Sequence, residues 1–277
     1  MVVLLALVAA VAYGVGDFVG GLAARQRAAI TILLYSYPVG ALLMCAMLPV
    51  FPGTLNWPTL GYGAAGGVAG LVGVTLLYSL MAVAPMNIIS PITAVLAAAV
   101  PVVFGVLTGE RPGPAAWAGI AIGLLAVVLV SRTPEDHPHG PLGSRVLALA
   151  VLSGLGFGVY FICLAQPAQD SGLWPVVISR AASAVLIVAL ARRTANVAHL
   201  PPRLLVLAAT AGVLDAAANL FFLLASRQGF LSLASVITSL YPAATVLLSI
   251  AVLHEHTGRM QRVGLALAAG SIVLVTR

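Results

Sequence analysis

The chain has 277 residues, of which 61% are hydrophobic and only 7% charged, and its mean hydropathy is +1.12; soluble domains carry roughly 25% charged residues. So few polar side chains cannot cover a water-facing surface, which excludes a soluble enzyme or binding domain. The formal charge of +6 comes from arginine alone, and all but one of the arginines lie at or near the ends of apolar runs, a placement that suits anionic lipid headgroups and not nucleic acid.

A hydrocarbon core about 30 Å thick needs roughly twenty apolar residues per helix, and the charges and Pro/Gly clusters divide the chain into ten pieces of about that length. Residues 2–23 come first; their Met1-Val2-Val3-Leu4-Leu5 start lacks the basic region of a secretory signal, so they read as a retained helix. Spans at 29–51 (with Pro38), 58–83, 87–108 (with Pro91 and Pro101) and 114–131 follow. A polar stretch at 133–144, containing Glu135, Asp136, His137 and His139, then separates the halves. Beyond it lie spans at 145–166, 173–191, 204–226, 231–253 (with Pro242) and 260–276. Each piece is continuously apolar and lacks the alternation of a membrane barrel, so the expected fold is all-α. The two cysteines, Cys45 and Cys163, sit inside apolar runs and read as packing residues.

One constant offset of 145 residues, the separation of Glu110 and Glu255, also relates Ile92-Thr93 to Ile237-Thr238, Gly113 to Gly258, Gly119 to Gly264 and Arg132 to Arg277. This is an internal repeat, with residues 1–132 as the first unit and 145–277 as the second. Gly14-Val15-Gly16 and Gly154-Leu155-Gly156 open the two units at a slightly smaller offset. Five spans in each unit are an odd number, so the second unit enters the membrane from the opposite side. Such inverted repeats build many secondary transporters, which open a midplane site to either side.

Small residues four apart, at Gly16/Gly20, Gly63/Gly67, Gly66/Gly70, Gly119/Gly123, Gly154/Gly158 and Ala266/Gly270, mark faces where helices approach closely. Pro91, Pro101 and Pro242 fall in the fourth and ninth spans, which correspond under the repeat, and are expected to bend or open both.

Ionisable groups at membrane depth cost several kcal/mol on insertion scales and so mark functional sites. Asp17, Arg180 and Asp215 are such groups, and Asn219 shares a helix face with Asp215 one turn away. On antiparallel neighbours Arg180 and Asp215 fall at similar depth and are expected to pair, a bridge that either fixes two helices together or binds a solute charge or relays a proton. Asp17 has no acidic counterpart, since Phe157 stands at the matching position, which makes it a proton-site candidate. Tyr13, Tyr35, Tyr37, Tyr78, Tyr160 and Tyr241 offer amphipathic rings, of which Tyr13, Tyr78, Tyr160 and Tyr241 are the candidates to line a cavity, while Trp57, Trp117 and Trp174 fit the interfacial belt. Glu110, beside Arg111, and Glu255, between His254 and His256, read as helix-end anchors. There is no nucleotide-cradling loop, zinc-spaced histidine pair or nucleophile elbow, so no catalytic residue, metal or cofactor is expected.

The run Gly16-Asp17-Phe18-Val19-Gly20-Gly21-Leu22-Ala23-Ala24-Arg25, the Gly109-Glu110-Arg111 and His254-Glu255 helix ends, Tyr241-Pro242 and the glycine-bearing last helix of each half resemble the drug/metabolite transporter superfamily, in its ten-helix form with two EamA-type repeats. The resemblance covers essentially the whole chain. It implies a gradient-driven carrier, often an exporter of amino acids, other metabolites or drugs, with a central cavity between the halves. The first half departs from the pattern in having Ala97 where the counterpart of Pro242 would fall, and no base matching Arg180.

The expected partners are a small-molecule solute, membrane lipid and protons, and the expected setting is the inner cell membrane, as a monomer or homodimer. The arginine count places both termini outside, whereas the resemblance implies cytoplasmic termini. Two other functions fit such a chain: a flippase for a lipid-linked metabolite, which needs an opening toward lipid, and a non-transporting scaffold, which needs a large partner-binding loop.

Overall fold

The computed structural model describes residues 1–83, 86–130, 143–194, 199–253 and 258–275. Apart from one short 3-10 turn, the regular structure among them is α-helical throughout: α1 (Val2–Ala24), α2 (Ala29–Met47), α3 (Trp57–Met81), α4 (Met86–Leu107), α5 (Pro114–Val130), α6 (Ser144–Ala165), α7 (Trp174–Thr194), α8 (Pro202–Ser226), α9 (Leu231–Thr238), α10 (Tyr241–Leu253) and α11 (Arg259–Val275). Helices α1, α2, α3, α6, α7 and α8 are long and apolar enough to cross a membrane on those grounds alone. Helices α4 and α5, the pair α9 and α10, and α11 supply the other spans, giving the all-α architecture of ten membrane helices in two five-helix repeats. Helices α3 and α5 are apolar all round, as expected where one face meets lipid and the other meets protein. Large side chains such as Leu42, Leu107 and Val185 project outward from the bundle, where hydrocarbon can cover them.

Which helices touch which fixes the symmetry. Helix α1 packs on α8 as α6 packs on α3, α2 packs on α8 as α7 packs on α3, and α4 packs on α6 as α9 and α10 pack on α1. The pairs α2 with α7, α4 with α9 and α5 with α11 join a helix to its own counterpart. Exchanging the halves maps every one of these contacts onto another, the signature of a pseudo-two-fold axis. The most extensive contacts all run between the repeats. The physical units are therefore mixed: α1, α2 and α8 form one three-helix bundle, and α6, α7 and α3 form its pseudo-two-fold mate.

Close approach at glycine makes these bundles tight. A Cβ at Gly16 would lie 3.7 Å from the Ala211 carbonyl oxygen, and one at Gly156 only 2.8 Å from that of Ala69. Gly63 and Gly67 face α7, Gly66 and Gly70 face α6, and Gly154 and Gly158 face α4. The sequence spacing identifies these faces. It errs at Ala266/Gly270: both are exposed and nothing approaches Gly270, while Gly264 sits under Leu129 and Val130, and Ser271 donates to the Gly119 carbonyl at 2.7 Å. Helix α11 turns its Gly264, Ala268 and Ser271 face to α5 instead.

Two further expectations change. The paired breaks are not seen, because α4 continues through Pro91 and Pro101, whereas the ninth span divides at Ser239 and Leu240. Pro242 has no N–H for the Thr238 carbonyl, and its counterpart Ala97 lacks that defect. The second span ends at Met47 and not at residue 51; the chain turns ahead of Pro52, and the Phe51 carbonyl accepts from Leu173 N–H at 3.3 Å, which docks this end onto the approach to α7. Residues 131–142, most of the expected linker, lie outside the described residues.

Candidate functional site

The two mixed bundles face each other across a narrow recess. One side supplies Tyr13 from α1, Tyr37 from α2, and Asp215 and Asn219 from α8. The other supplies Gly70 from α3, Phe157 and Tyr160 from α6, and Ser179, Arg180 and Ser183 from α7.

The Arg180 guanidinium reaches across to Asp215, Nη2 against Oδ2, and so ties α7 of one bundle to α8 of the other. Arg180 is 2% exposed, and its Nε and Nη1 are buried with no hydrogen-bond partner among the described residues. The face of its guanidinium lies over the Tyr37 ring, 5.1 Å from the centroid, a cation–π contact strengthened where water is excluded. Gly40, one turn beyond Tyr37, leaves room for Nη1, which would sit 3.7 Å from a Cβ there. The Asp215 side chain is 27% exposed, so its carboxylate keeps an open side within the recess.

Tyr13 donates its hydroxyl hydrogen to Asn219 Oδ1, and the Asn219 amide donates to the Asp215 carbonyl at 2.7 Å. The first bond joins α1 to α8, and the second, within α8, holds the Asn219 amide in place. Ser179 and Ser183 spend their hydroxyl hydrogens on backbone carbonyls, of Val176 at 3.0 Å and of Gly67 at 2.8 Å, so each presents its oxygen lone pairs to other donors. Aromatic packing continues outward from Tyr13 to Phe161 and Tyr241, with ring centroids 6.0 and 6.4 Å away.

Of the residues singled out from sequence, Tyr13, Tyr160, Arg180, Asp215 and Asn219 come together on the recess. Asp17, half-buried, lies one turn beyond Tyr13 on α1, and Tyr78 packs on Gly20 just past it. Neither lines the recess. Tyr241 stands behind Tyr13, its hydroxyl 3.3 Å from that of Thr93 on α4. Glu110 is more than a surface anchor: Oε1 accepts from Leu231 N–H at 2.6 Å and Oε2 from Ser232 N–H at 3.1 Å, so the first half caps α9 of the second. Glu255, with His254 and His256, lies outside the described residues.

Sequence reasoning does not select Tyr37, Phe157, Ser179 or Ser183 as site residues. A signal exists for Ser183, which stands three residues after the buried arginine and so shares its helix face, and for Ser179 one turn before Ser183. For Tyr37 the only hint is its ordinary place in an apolar span.

Comparison with known proteins comes to the same architecture. A family model described as the EamA-like transporter family matches residues 1–132 and again residues 144–277. A solved crystal structure of a protein aligns with TM-score 0.76 over 99% of this chain and 96% of its own, at 18% sequence identity, a likeness of fold. No curated protein matches the sequence.

Proposed function

Because this chain belongs to the EamA-like transporter family, we propose that it is a secondary carrier, driven by a gradient, that exports small metabolites, amino acids or drugs by alternating access. The observation that carries this reading is the Arg180–Asp215 pair, which bridges two pseudo-two-fold-related bundles at the recess between them. Burying two charges costs several kcal/mol per ion after relaxation, and packing alone would be served as well by apolar side chains. A charge bridge set between two rigid bundles is useful where those bundles must part and rejoin. Rocking of α1, α2 and α8 against α6, α7 and α3 opens the recess to one side of the membrane and then to the other. Tyr13, Tyr160 and Asn219 shape the solute site, with Tyr78 and Tyr241 behind them, and Asp17 takes the coupling proton.

In this reading the multi-pass protein works in the inner cell membrane as a monomer or homodimer, its repeats spanning residues 1–132 and 145–277. Reconstitution in liposomes with a metabolite panel, with and without an imposed pH gradient, tests it. Asp215→Asn is expected to reduce transport to background while the protein remains monodisperse and cooperatively folded; transport at the wild-type rate removes the bridge from the mechanism. Asp17→Asn is expected to uncouple transport from the pH gradient, and full retention of that dependence removes the proton role.

A further inference from the structure

Arg180 is a cation held at an unusual balance. It is 2% exposed, with one terminal nitrogen engaged by Asp215 and with Nε and Nη1 left without partners among the described residues. A buried donor on a charged group costs more to leave unpaired than almost any other polar atom. Two such donors remain on a guanidinium whose residue lines the recess, so an acceptor that enters there and displaces Asp215 can satisfy them. The remaining walls define the body attached to that acceptor: Tyr37, Phe157 and Tyr160 are aromatic, Gly70 is bare, and the Ser179 and Ser183 hydroxyls already donate to backbone carbonyls.

We propose that the solute carried in this recess is a small organic monocarboxylate with an apolar body, whose carboxylate takes the Arg180 guanidinium from Asp215. This rests on the carrier reading above. A carboxylate suits the planar guanidinium, which can offer it two parallel donors. A dianion does not suit the site, because Arg180 is the only cation on the recess among the described residues and Asp215 is already beside it. A cationic solute would place its charge next to Arg180 and leave Nε and Nη1 unpaired. Asp215 is thus an internal stand-in for the solute: it holds the bridge shut while the recess is empty, and the solute's carboxylate breaks the bridge by replacing it. Binding is thereby tied to release of the contact between the two bundles, the differential interaction that a conformational step requires.

The test uses full-length protein in nanodiscs, with pentanoate and phenylacetate as probes, their primary amides as neutral matches, and pentylammonium and phenethylammonium as cationic ones. The readout is the shift in thermal unfolding temperature with ligand concentration. The carboxylates are expected to bind at millimolar concentration, and the amides and ammonium ions not to. Asp215→Asn removes the internal competitor and is expected to bind the carboxylates about tenfold tighter or more, since a hydrogen bond to a charged group contributes about 1.5–3 kcal/mol. Arg180→Gln is expected to lose them. The double variant Arg180→Gln/Asp215→Asn carries no unpaired buried charge, so it should fold and still bind no carboxylate.

Opposite signs for the two single variants separate competition from a merely structural pair, which would weaken both alike. Amides binding as well as carboxylates, ammonium ions binding in their place, carboxylate binding weakened by Asp215→Asn, or no binding of either carboxylate overturns the proposal. If the reconstituted protein then transports other solutes of the panel, the carrier reading stands without it; if it transports nothing, both fall.

Discussion

Where α7 meets α3 and where α2 meets α8, the chain builds one joint twice. The Ser179 carbonyl lies over Gly67 as the Ser36 carbonyl lies over Gly212. One turn on, Ser183 donates to the Gly67 carbonyl at 2.8 Å, while Gly40 sits against that of Gly212, 2.9 Å from where its Cβ would be. The residue after each serine lines the recess, and here the halves part: one offers Arg180, the other Tyr37. The two meet as guanidinium on ring. Helix α1 and its counterpart α6 repeat the lesson, with glycines at matching positions followed by Asp17 in one and Phe157 in the other. Duplication supplied the scaffold in pairs, and the site arises where the pairs have diverged. Its charges come from α7 and α8, both in the second half, while the first half lends aromatic faces.

The sharpest way to break this comparison is to fill both joints. Ala at Gly67 or at Gly212 drives a methyl into the backbone of the facing helix, and backbone cannot rotate away as a side chain does. Overpacking of this kind costs about 1–3 kcal/mol, so each variant is expected to unfold at a clearly lower temperature in detergent, and by a similar amount. Gly270→Ala, inside α11 with nothing within 4 Å of the new methyl, should hold or slightly raise the unfolding temperature. A large effect at one joint and none at the other would mean that the halves are not equivalent supports.

The next effect concerns the point of divergence. Tyr37→Leu keeps an apolar side chain of moderate size but removes the ring beneath Arg180, while Tyr37→Phe keeps the ring. A desolvated cation–π contact contributes about 2 kcal/mol and an exposed one about 0.5–1. Tyr37→Leu is therefore expected to be destabilised by about 1–2 kcal/mol relative to Tyr37→Phe, measured by thermal or denaturant unfolding. Equal losses would assign Tyr37 a role through its hydroxyl.

A feature is legible in the sequence when the physical rule behind it is local. Span length, lipid compatibility and the repeat depend on composition and register along the chain, so the helices and their inverted arrangement can be read directly. The Arg180–Asp215 pair can be read too, because buried charge is so costly that two opposite charges at one depth must find each other. Tyr37 cannot, since tyrosine is unremarkable in an apolar span and only the dyad brings it beneath Arg180. The mixing of halves into two bundles is equally hidden: nothing in either repeat says that α1 prefers α8 to its own chain neighbours. Prolines mislead for a related reason. Pro91 and Pro101 are accommodated within a continuous α4, and only Pro242 coincides with a break.

The smallest expected effect lies at the far end of the same pairing of halves. Glu110, closing the fourth span, gives both carboxylate oxygens to the first N–H groups of α9. Glu110→Gln retains one acceptor and loses the charge that complements the helix dipole, at a cost of about 1 kcal/mol. Global unfolding should hardly register it, because the opening it promotes is local to the end of a helix whose other residues stay buried. Hydrogen exchange is the suitable measurement: amides at Leu231 and Ser232 should exchange about fivefold faster, since about 1 kcal/mol of local protection is lost. Glu255 stands at the equivalent place in the sequence repeat, and the same measurement on Glu255→Gln tells whether the second half returns the device. Unchanged exchange at Leu231 and Ser232 in Glu110→Gln would mean that the cap adds nothing to what packing against α1 and α4 already holds.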